Sequence, residues 1–308
     1  MLLTKQLTII KPTKLKQTEF PGVQRAADKA SNQAQKFYMN MVKTNLISGV
    51  LAALLTIFNF ESEEPKVYIY AISLVLMIVG LGLTVAIKYY KFEDLWYQGR
   101  ALAESVKTLT WRYITCSENY EASLPQNEAD HSFTDSLQNL QNKFPDLVNF
   151  MDSNLLNTPV ISNEMKKVRN LSWDLRLARY IECRIDDQIS WYSAKTLFNK
   201  GKKKFWLYIV IACQSMSIIA CISLLLCASG SWNFIGLFTT LAASAIAWLE
   251  VRQYQSLIQA YNTATMELVI IKALANSINT EESFTSYVLD SENAISREHT
   301  MWLAQRRK

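Results

Sequence analysis

The side chains in this sequence that could do chemistry are few, and they do not converge on one reaction. One acidic group consists of Asp186 and Asp187, with Glu182 close by. Successive residues of a helix point about 100° apart, so the two aspartates do not face a common substrate. We interpret this group as a solvated helix face or as partners in salt bridges between helices, and the alternative is an acid/base pair.

Metal and phosphate sites have equally little support. Glu292, Glu298 and His299 could suggest a metal site, but their spacing is not Glu-x-x-His and the chain has only 2 histidines. The 5 cysteines form no Cys-x-x-Cys pair. No glycine-rich phosphate loop, nucleophile elbow or Walker lysine occurs. The sequence therefore predicts a protein that is not an enzyme and that uses no cofactor or metal ion.

Polar side chains inside long apolar runs give the strongest functional signal. Gln214 lies in the middle of one run, and Thr240 and Ser244 lie in another. An amide is unfavourable in hydrocarbon unless it finds a partner or water, whereas hydroxyls can bond to carbonyls of the preceding turn. Two interpretations stay open: the three residues hold helices together, or they line a water-filled path in an oligomer.

Four apolar runs must position these polar residues. They are residues 45–60, 67–90, 205–228 and 232–249, and Lys88 is the one charged residue within them. A helix needs about 20 mostly apolar residues to cross a bilayer. The second and third runs reach that length, while the first and fourth depend on their aromatic and lysine flanks. We predict an all-α integral membrane protein with two transmembrane helical hairpins, four spans in all.

The charges that flank the runs predict an orientation. The first hairpin tip is acidic, the tip at residues 229–231 is uncharged, and lysines and arginines crowd the opposite ends. Basic residues remain in the cytoplasm, so we expect both tips outside and both termini with the middle block inside. The same basic excess, a net charge of +5, fits anionic lipid headgroups better than nucleic acid.

Long cytoplasmic helices are predicted to extend the spans. Periodic apolar residues favour entry helices that start near Arg25 and Glu164, and exit helices that run to about Ile114 and Ile271. Two short helices are expected near residues 132–143 and 146–154, and a last helix should be capped by Thr280. The composition of residues 1–22 predicts a mobile leader.

Charged residues on the exit helices could hold the cytoplasmic helices in one register. Arg100 and Glu104 lie four residues apart, and Glu267 takes the place of Glu104 in the second half of the chain. An exposed pair at this spacing contributes a few tenths of a kcal/mol, about 0.3. A lock that fixes the register of the helices is the alternative.

The two halves of the chain follow one plan. Gln35–Tyr38 resembles Gln188–Tyr192 before the apolar runs, and Ser132–Thr134 resembles Ser283–Thr285 after them. Because these matches keep the same order around two hairpins, we predict two tandem units, residues 23–155 and 160–308.

Short motifs in both halves resemble the SLATT family, the SMODS- and SLOG-associating two-transmembrane effector domains of bacteria. The second half carries this resemblance in Arg184–Tyr192, Tyr261–Ala264, Glu267-Leu268 and Glu298–Trp302. The first half is similar to another subtype through Arg25–Ser31 and Ala34-Gln35. The resemblance implies a bacterial inner-membrane effector of conflict or anti-phage systems that a nucleotide-sensing or nucleotide-producing partner switches and that permeabilises the membrane.

The number of spans bears on how such a protein could conduct. Four helices of one chain can scarcely enclose an aqueous pore while they pack together, so a pore predicts a homo-oligomer in the lipid bilayer. The alternative function is a non-conducting membrane anchor or scaffold that docks a cytoplasmic partner.

Overall fold

The protein is all-helical in the computed structural model, which describes residues 16–57, 63–226 and 232–306. No β-strand forms within those three ranges. The predicted leader up to residue 15, the end of the first apolar run at residues 58–60, the first two residues of the first tip (61–62) and the whole second tip (229–231) lie outside the described residues. So do the side chains of the Glu298–Trp302 motif.

Eleven α-helices are described within these ranges. They are α1 (Gly22–Leu55), α2 (Glu63–Tyr90), α3 (Phe92–Ile114), α4 (Gln126–Gln141), α5 (Ser153–Leu156), α6 (Asn163–Arg169), α7 (Trp173–Tyr180), α8 (Asp187–Leu226), α9 (Ile235–Arg252), α10 (Tyr254–Leu274) and α11 (Glu281–Arg306). A π-helical segment, Ile181–Asp186, joins α7 to α8, and short 3₁₀ turns lie at Gln17–Glu19, Pro145–Phe150 and Ala275–Ser277.

The helices belong to two compact units, and the first contains most of the buried core. Unit 1 comprises residues 1–31, 97–193 and 262–308. Phe133 of α4 and Phe284 of α11, which the sequence places at matching positions of the two halves, are both fully buried there. A Cβ at Gly99 of α3 would lie 3.0 Å from the carbonyl oxygen of Ala27 and from Cβ of Ser31, so this glycine lets α1 and α3 approach closely.

Unit 2 holds the apolar helices and comprises residues 32–96 and 194–261. Small and polar side chains join α1 to α2: a Cβ at Gly80 would lie 3.1 Å from Oδ1 of Asn45 and 3.2 Å from Oγ of Ser48. The side-chain amide of Asn45 donates to the hydroxyl of Thr84 at 3.0 Å. This contact matches the pattern by which membrane helices associate, through small residues and hydrogen bonds between helices.

Three helical stretches among the described residues are long and apolar enough to cross a membrane. They are Pro65–Ile114, Trp173–Leu226 and Ile235–Ser277. In their most apolar windows, 6%, 11% and 17% of the residues are buried. Most of this apolar surface therefore has no protein against it.

The exit helices do not continue unbroken from the apolar helices, contrary to the sequence-based prediction. Lys91 separates α2 from α3 and has a φ of 48°, and Gln253 separates α9 from α10 with the same φ of 48°. A left-handed residue cannot continue a right-handed helix, so it ends one helix and lets the next begin. The two halves of the chain carry this break at the same place, directly after the second apolar helix of each pair.

The predicted entry helix of the second half also differs in its start. The sequence predicted one helix from Glu164, but α6 ends at Arg169 and a new helix begins at Trp173. Ser172 between them is extended, with φ −61° and ψ 153°, which interrupts the helical ladder.

Shorter elements follow the turn chemistry of the sequence. Helix α4 starts at Gln126, six residues before its predicted start, because Pro125 stands at its N-cap, where no amide donor is needed. The predicted cap of the last helix is confirmed: the backbone N–H of Ser283 donates to Oγ1 of Thr280 at 3.2 Å.

Candidate functional site

The most unusual chemistry in the described residues is an ion pair at the centre of unit 1. The guanidinium of Arg184 donates through Nε and Nη2 to both carboxylate oxygens of Glu292, each at 2.8 Å. Thr108 donates to Oε2 of the same carboxylate at 2.8 Å, and the Tyr180 hydroxyl donates to Oε1 at 2.9 Å. The side chains of Arg184 and Glu292 are 1% and 0% exposed. We call these four residues the buried ion-pair cluster.

Four elements bring the cluster together. Thr108 comes from α3, Tyr180 and Arg184 come from the end of α7 and the π-helical segment, and Glu292 comes from α11. A π-helical turn adds a residue to the helix and re-aims the side chains that follow it, and such turns occur frequently at functional sites. Here it lets Tyr180 and Arg184 reach the same carboxylate.

Burial sets the protonation of the cluster. Burial alone would lower the pKa of Arg184, but the charge and hydrogen bonds of Glu292 outweigh it and raise the pKa above its ordinary value. Burial and then the negative charge of Glu292 raise the pKa of Tyr180 well above 10.0. The neighbouring Lys107 has a lowered pKa, because its burial outweighs the attraction of Glu104. Arg184 therefore stays charged and Tyr180 stays protonated throughout the neutral range.

Two further buried arginines bind the carboxyl end of α3. Arg169 donates through Nη1 to the carbonyl oxygens of Tyr113 and Tyr120, at 3.0 and 2.6 Å. Arg176 donates to the carbonyl oxygen of Thr115 at 2.7 Å and forms a salt bridge with Glu281. Cations are favourable at the carboxyl end of a helix, where carbonyl groups lack partners within the helix.

The first half of the chain has a partly exposed counterpart of the cluster. In α1, Arg25 donates to the Thr158 hydroxyl at 2.8 Å, and Nζ of Lys29 lies 2.5 Å from Oδ2 of Asp152. A hydrogen bond from Lys29 lowers the pKa of the Asp152 carboxyl. In both halves a cation of the entry helix thus contacts the segment that closes the same half.

The residues of the predicted lock all lie in unit 1. The Arg100 guanidinium lies 5.9 Å from the centre of the Trp191 ring, and the Glu104 carboxylate lies 3.9 Å from Nζ of Lys107. Glu267 is exposed beside a small cavity lined by Tyr192. In the acidic pair singled out in the sequence, Asp186 forms a salt bridge between helices, since Nζ of Lys272 lies 2.6 Å from its Oδ1.

The three polar residues predicted for a pore lie in unit 2, on two helices. Gln214 is exposed on α8. Thr240 of α9 donates its hydroxyl to the carbonyl oxygen of Gly236 at 2.7 Å, within its own helix. Ser244, one turn further along α9, lines an apolar cleft that neither Gln214 nor Thr240 lines among the described residues.

Sequence reasoning named Arg184 and Glu292 but did not join them. It treated Glu292 as a weak candidate metal ligand, and the structure places its carboxylate on Arg184 instead. In the described part of the chain, no group of three or more His, Cys, Asp or Glu side chains could hold a metal ion. Both entry helices contain Arg-x-x-Asp, as Arg25–Asp28 and Arg184–Asp187; this spacing marks the two arginines as equivalent positions but does not point to Glu292.

Comparison with protein-family models matches almost the whole chain. Residues 21–177 match SLATT_3, the SMODS and SLOG-associating 2TM effector domain 3. Residues 180–302 match SLATT_1, the SMODS and SLOG-associating 2TM effector domain 1. A comparison with curated proteins found no match, and neither did a comparison with solved structures. The two matches lie in tandem along an all-helical chain, and the chain therefore belongs to the SLATT family of membrane-associated effector domains.

Proposed function

We propose that this chain is a membrane effector of a bacterial conflict system that spans the inner membrane four times, assembles into a homo-oligomer and opens a conducting path. Both termini and the block between the hairpins would lie in the cytoplasm. A nucleotide-sensing or nucleotide-producing protein would supply the signal to unit 1. The family match supports the membrane effector, and the unburied apolar helices of unit 2 support insertion.

One observation supports the proposed homo-oligomer. Gln214 is exposed on the face of α8 that also presents Ile211, Ile218 and Ile222, and these three isoleucines are 50%, 61% and 50% exposed. In a monomer this face would put an amide against lipid hydrocarbon, which is unfavourable without a partner. A second copy of the chain, or water between copies, would satisfy that amide.

Conduction follows if the surfaces that carry Gln214 surround an aqueous path. The apolar runs contain no carboxylate or arginine that could form a charged filter, so the path would discriminate weakly between ions. The path would be chemically inert: its walls would offer amide and hydroxyl groups and no catalytic group. The non-conducting scaffold is the rival, and the internal hydrogen bond of Thr240 favours it, since a hydroxyl satisfied within its helix needs no water.

Reconstitution into liposomes separates the two. We expect the purified protein to release a small dye or to carry current when a panel of nucleotides and candidate partner proteins is applied. The Gln214→Leu variant should change the single-channel conductance severalfold, because the polar wall of the path is lost. Ser215→Leu is the matched control, since Ser215 is an exposed polar residue of the same helical turn and should leave conductance near the wild-type value.

Two results would overturn the pore. A strict monomer in mild detergent leaves no room for a path, and dye retention under every condition of the panel would favour the scaffold. If Gln214→Leu lowers the thermal stability but leaves conductance unchanged, the amide serves packing between helices.

A further inference from the structure

Unit 2 contains an apolar cleft with a cationic end, which the proposed conduction does not use. The cleft has a volume of about 380 Å³, within the range of small-molecule sites. Its walls come from α1, α8 and α9, and they include Lys43, Val50, Trp206, Ser244 and Trp248. From Lys43 to Val50 the wall is about 10 Å long at 1.5 Å per residue.

Two cations meet at one end of the cleft. Nζ of Lys43 lies 5.5 Å from the centre of the Trp248 indole, and Cζ of Arg252 lies 5.8 Å from the centre of the same ring. The Trp206 ring packs beside Trp248 with 6.2 Å between centroids. Nε of Arg252 is buried and has no hydrogen-bond partner among the described residues. This end therefore has positive charge and an unused donor.

Within unit 2, the three helices that line the cleft contain a single acidic residue, Glu250. Within unit 2, α1 and α8 contain no Asp or Glu. Glu250 of α9 lies two residues from Trp248, about 200° around the helix, so it projects from the opposite face. A ligand with a negative head and an apolar tail matches the cleft, and tryptophan with basic residues is the composition found where membrane helices meet lipid headgroups.

We propose that the cleft binds an anionic phospholipid, with its phosphate at Lys43 and Arg252 and one acyl chain along the wall from Trp206 to Ser244. This proposal rests on the membrane insertion proposed above, but not on conduction. The acyl chain would cover apolar wall, and the phosphate would take up the free donor of Arg252. The lipid would thus join α1 of the first half to α9 of the second half.

Binding can be measured on the full-length protein in detergent, without any conductance. Phosphatidylglycerol and phosphatidylcholine are titrated separately, and bound lipid is counted by native mass spectrometry. We expect phosphatidylglycerol to bind at least about tenfold more tightly than phosphatidylcholine, and Lys43→Gln/Arg252→Gln to abolish this preference. The control Lys202→Gln/Lys204→Gln removes the same charge from side chains that contact Phe205 and Tyr208, and it should keep the preference.

A second variant tests the acyl chain. Val50→Trp fills the cleft without changing its charge, and bound phosphatidylglycerol should fall by at least about tenfold. The proposal would be overturned if wild type bound phosphatidylglycerol and phosphatidylcholine equally well. It would also be overturned if Lys43→Gln/Arg252→Gln kept the full preference for phosphatidylglycerol. If Val50→Trp changes the oligomeric state and leaves lipid binding intact, a second copy of the chain occupies the cleft, which also overturns it. Lipid binding with no dye release would instead contradict only the pore.

Discussion

At the residue scale, each half of the chain contains an ion pair, but the two pairs differ in their exposure to solvent. Arg184 and Glu292 are buried, whereas the side chains of Lys29 and Asp152 are 47% and 25% exposed. Two charges in a dry interior interact strongly but have lost their hydration, whereas charges near water are screened. Removing one partner of the buried pair should therefore cost far more stability than removing Lys29.

Removing one member of the buried pair leaves an uncompensated charge. We expect Arg184→Met to lower the free energy of unfolding by about 3–5 kcal/mol, because Glu292 then has no cation beside it. Arg184→Met/Glu292→Met should recover much of that loss, since no buried charge remains. Thermal unfolding in detergent, followed by circular dichroism, measures both variants.

Lys29→Met provides the control, because it removes the cation of the corresponding ion pair in the first half, which is exposed to solvent. It should leave the melting temperature close to that of wild type. Additive losses in Arg184→Met and Glu292→Met, with no recovery in the double variant, would contradict a coupled pair.

The sequence predicted the charges of this site but not their pairing. Arg184 and Glu292 lie 108 residues apart, and no local spacing connects them. The π-helical turn that aims Arg184 has no composition signal of its own, because the segment Ile181–Asp186 reads as ordinary helix.

At the scale of elements, periodicity predicted the helices well and their interruptions poorly. The apolar stripe of α3 continues that of α2 without a change of period, so the sequence predicted one helix. Lys91 interrupts it by adopting a left-handed conformation that any polar residue can take at a cost of about 1–2 kcal/mol. A short helix was predicted from about residue 132, but Pro125 starts α4 six residues earlier, at Gln126.

Two glycines offer a matched test of helix packing. Gly99→Ala should destabilise the protein by about 1–3 kcal/mol, because its Cβ would meet the backbone of α1. Gly201→Ala should stabilise it by up to about 1 kcal/mol, since nothing lies within 4 Å of that Cβ and alanine favours the helix. Melting temperatures of both variants check this, and a gain of stability in Gly99→Ala would show that the approach of α1 to α3 is looser than described.

At the scale of the whole molecule, the repeat was the most reliable prediction. The two family matches confirm the tandem copies, and the helical content confirms the all-α class. Hydropathy located three of the four predicted spans in helices that can cross a membrane. The first run is shorter and ends outside the described residues, so its span stays a prediction.

Labelling from outside the cell tests the proposed topology. On a cysteine-free background, an impermeant maleimide should modify Ser231→Cys, in the second predicted tip, in intact spheroplasts. Asn139→Cys, an exposed position of α4, should react only after the membrane is permeabilised. Labelling of Asn139→Cys in intact spheroplasts would contradict a cytoplasmic middle block, and extraction of the protein by carbonate would contradict insertion altogether.

The buried ion-pair cluster takes Thr108 from one family copy and Arg184 and Glu292 from the other. The hydroxyl of Ser117 likewise donates at 3.0 Å to the carbonyl oxygen of Thr285 in the second copy. If the gene were divided between residues 177 and 180, each of the two resulting proteins would lack the hydrogen-bond partners that the other supplies. Each copy therefore depends on the other for these contacts, and neither should fold into its present form when produced alone.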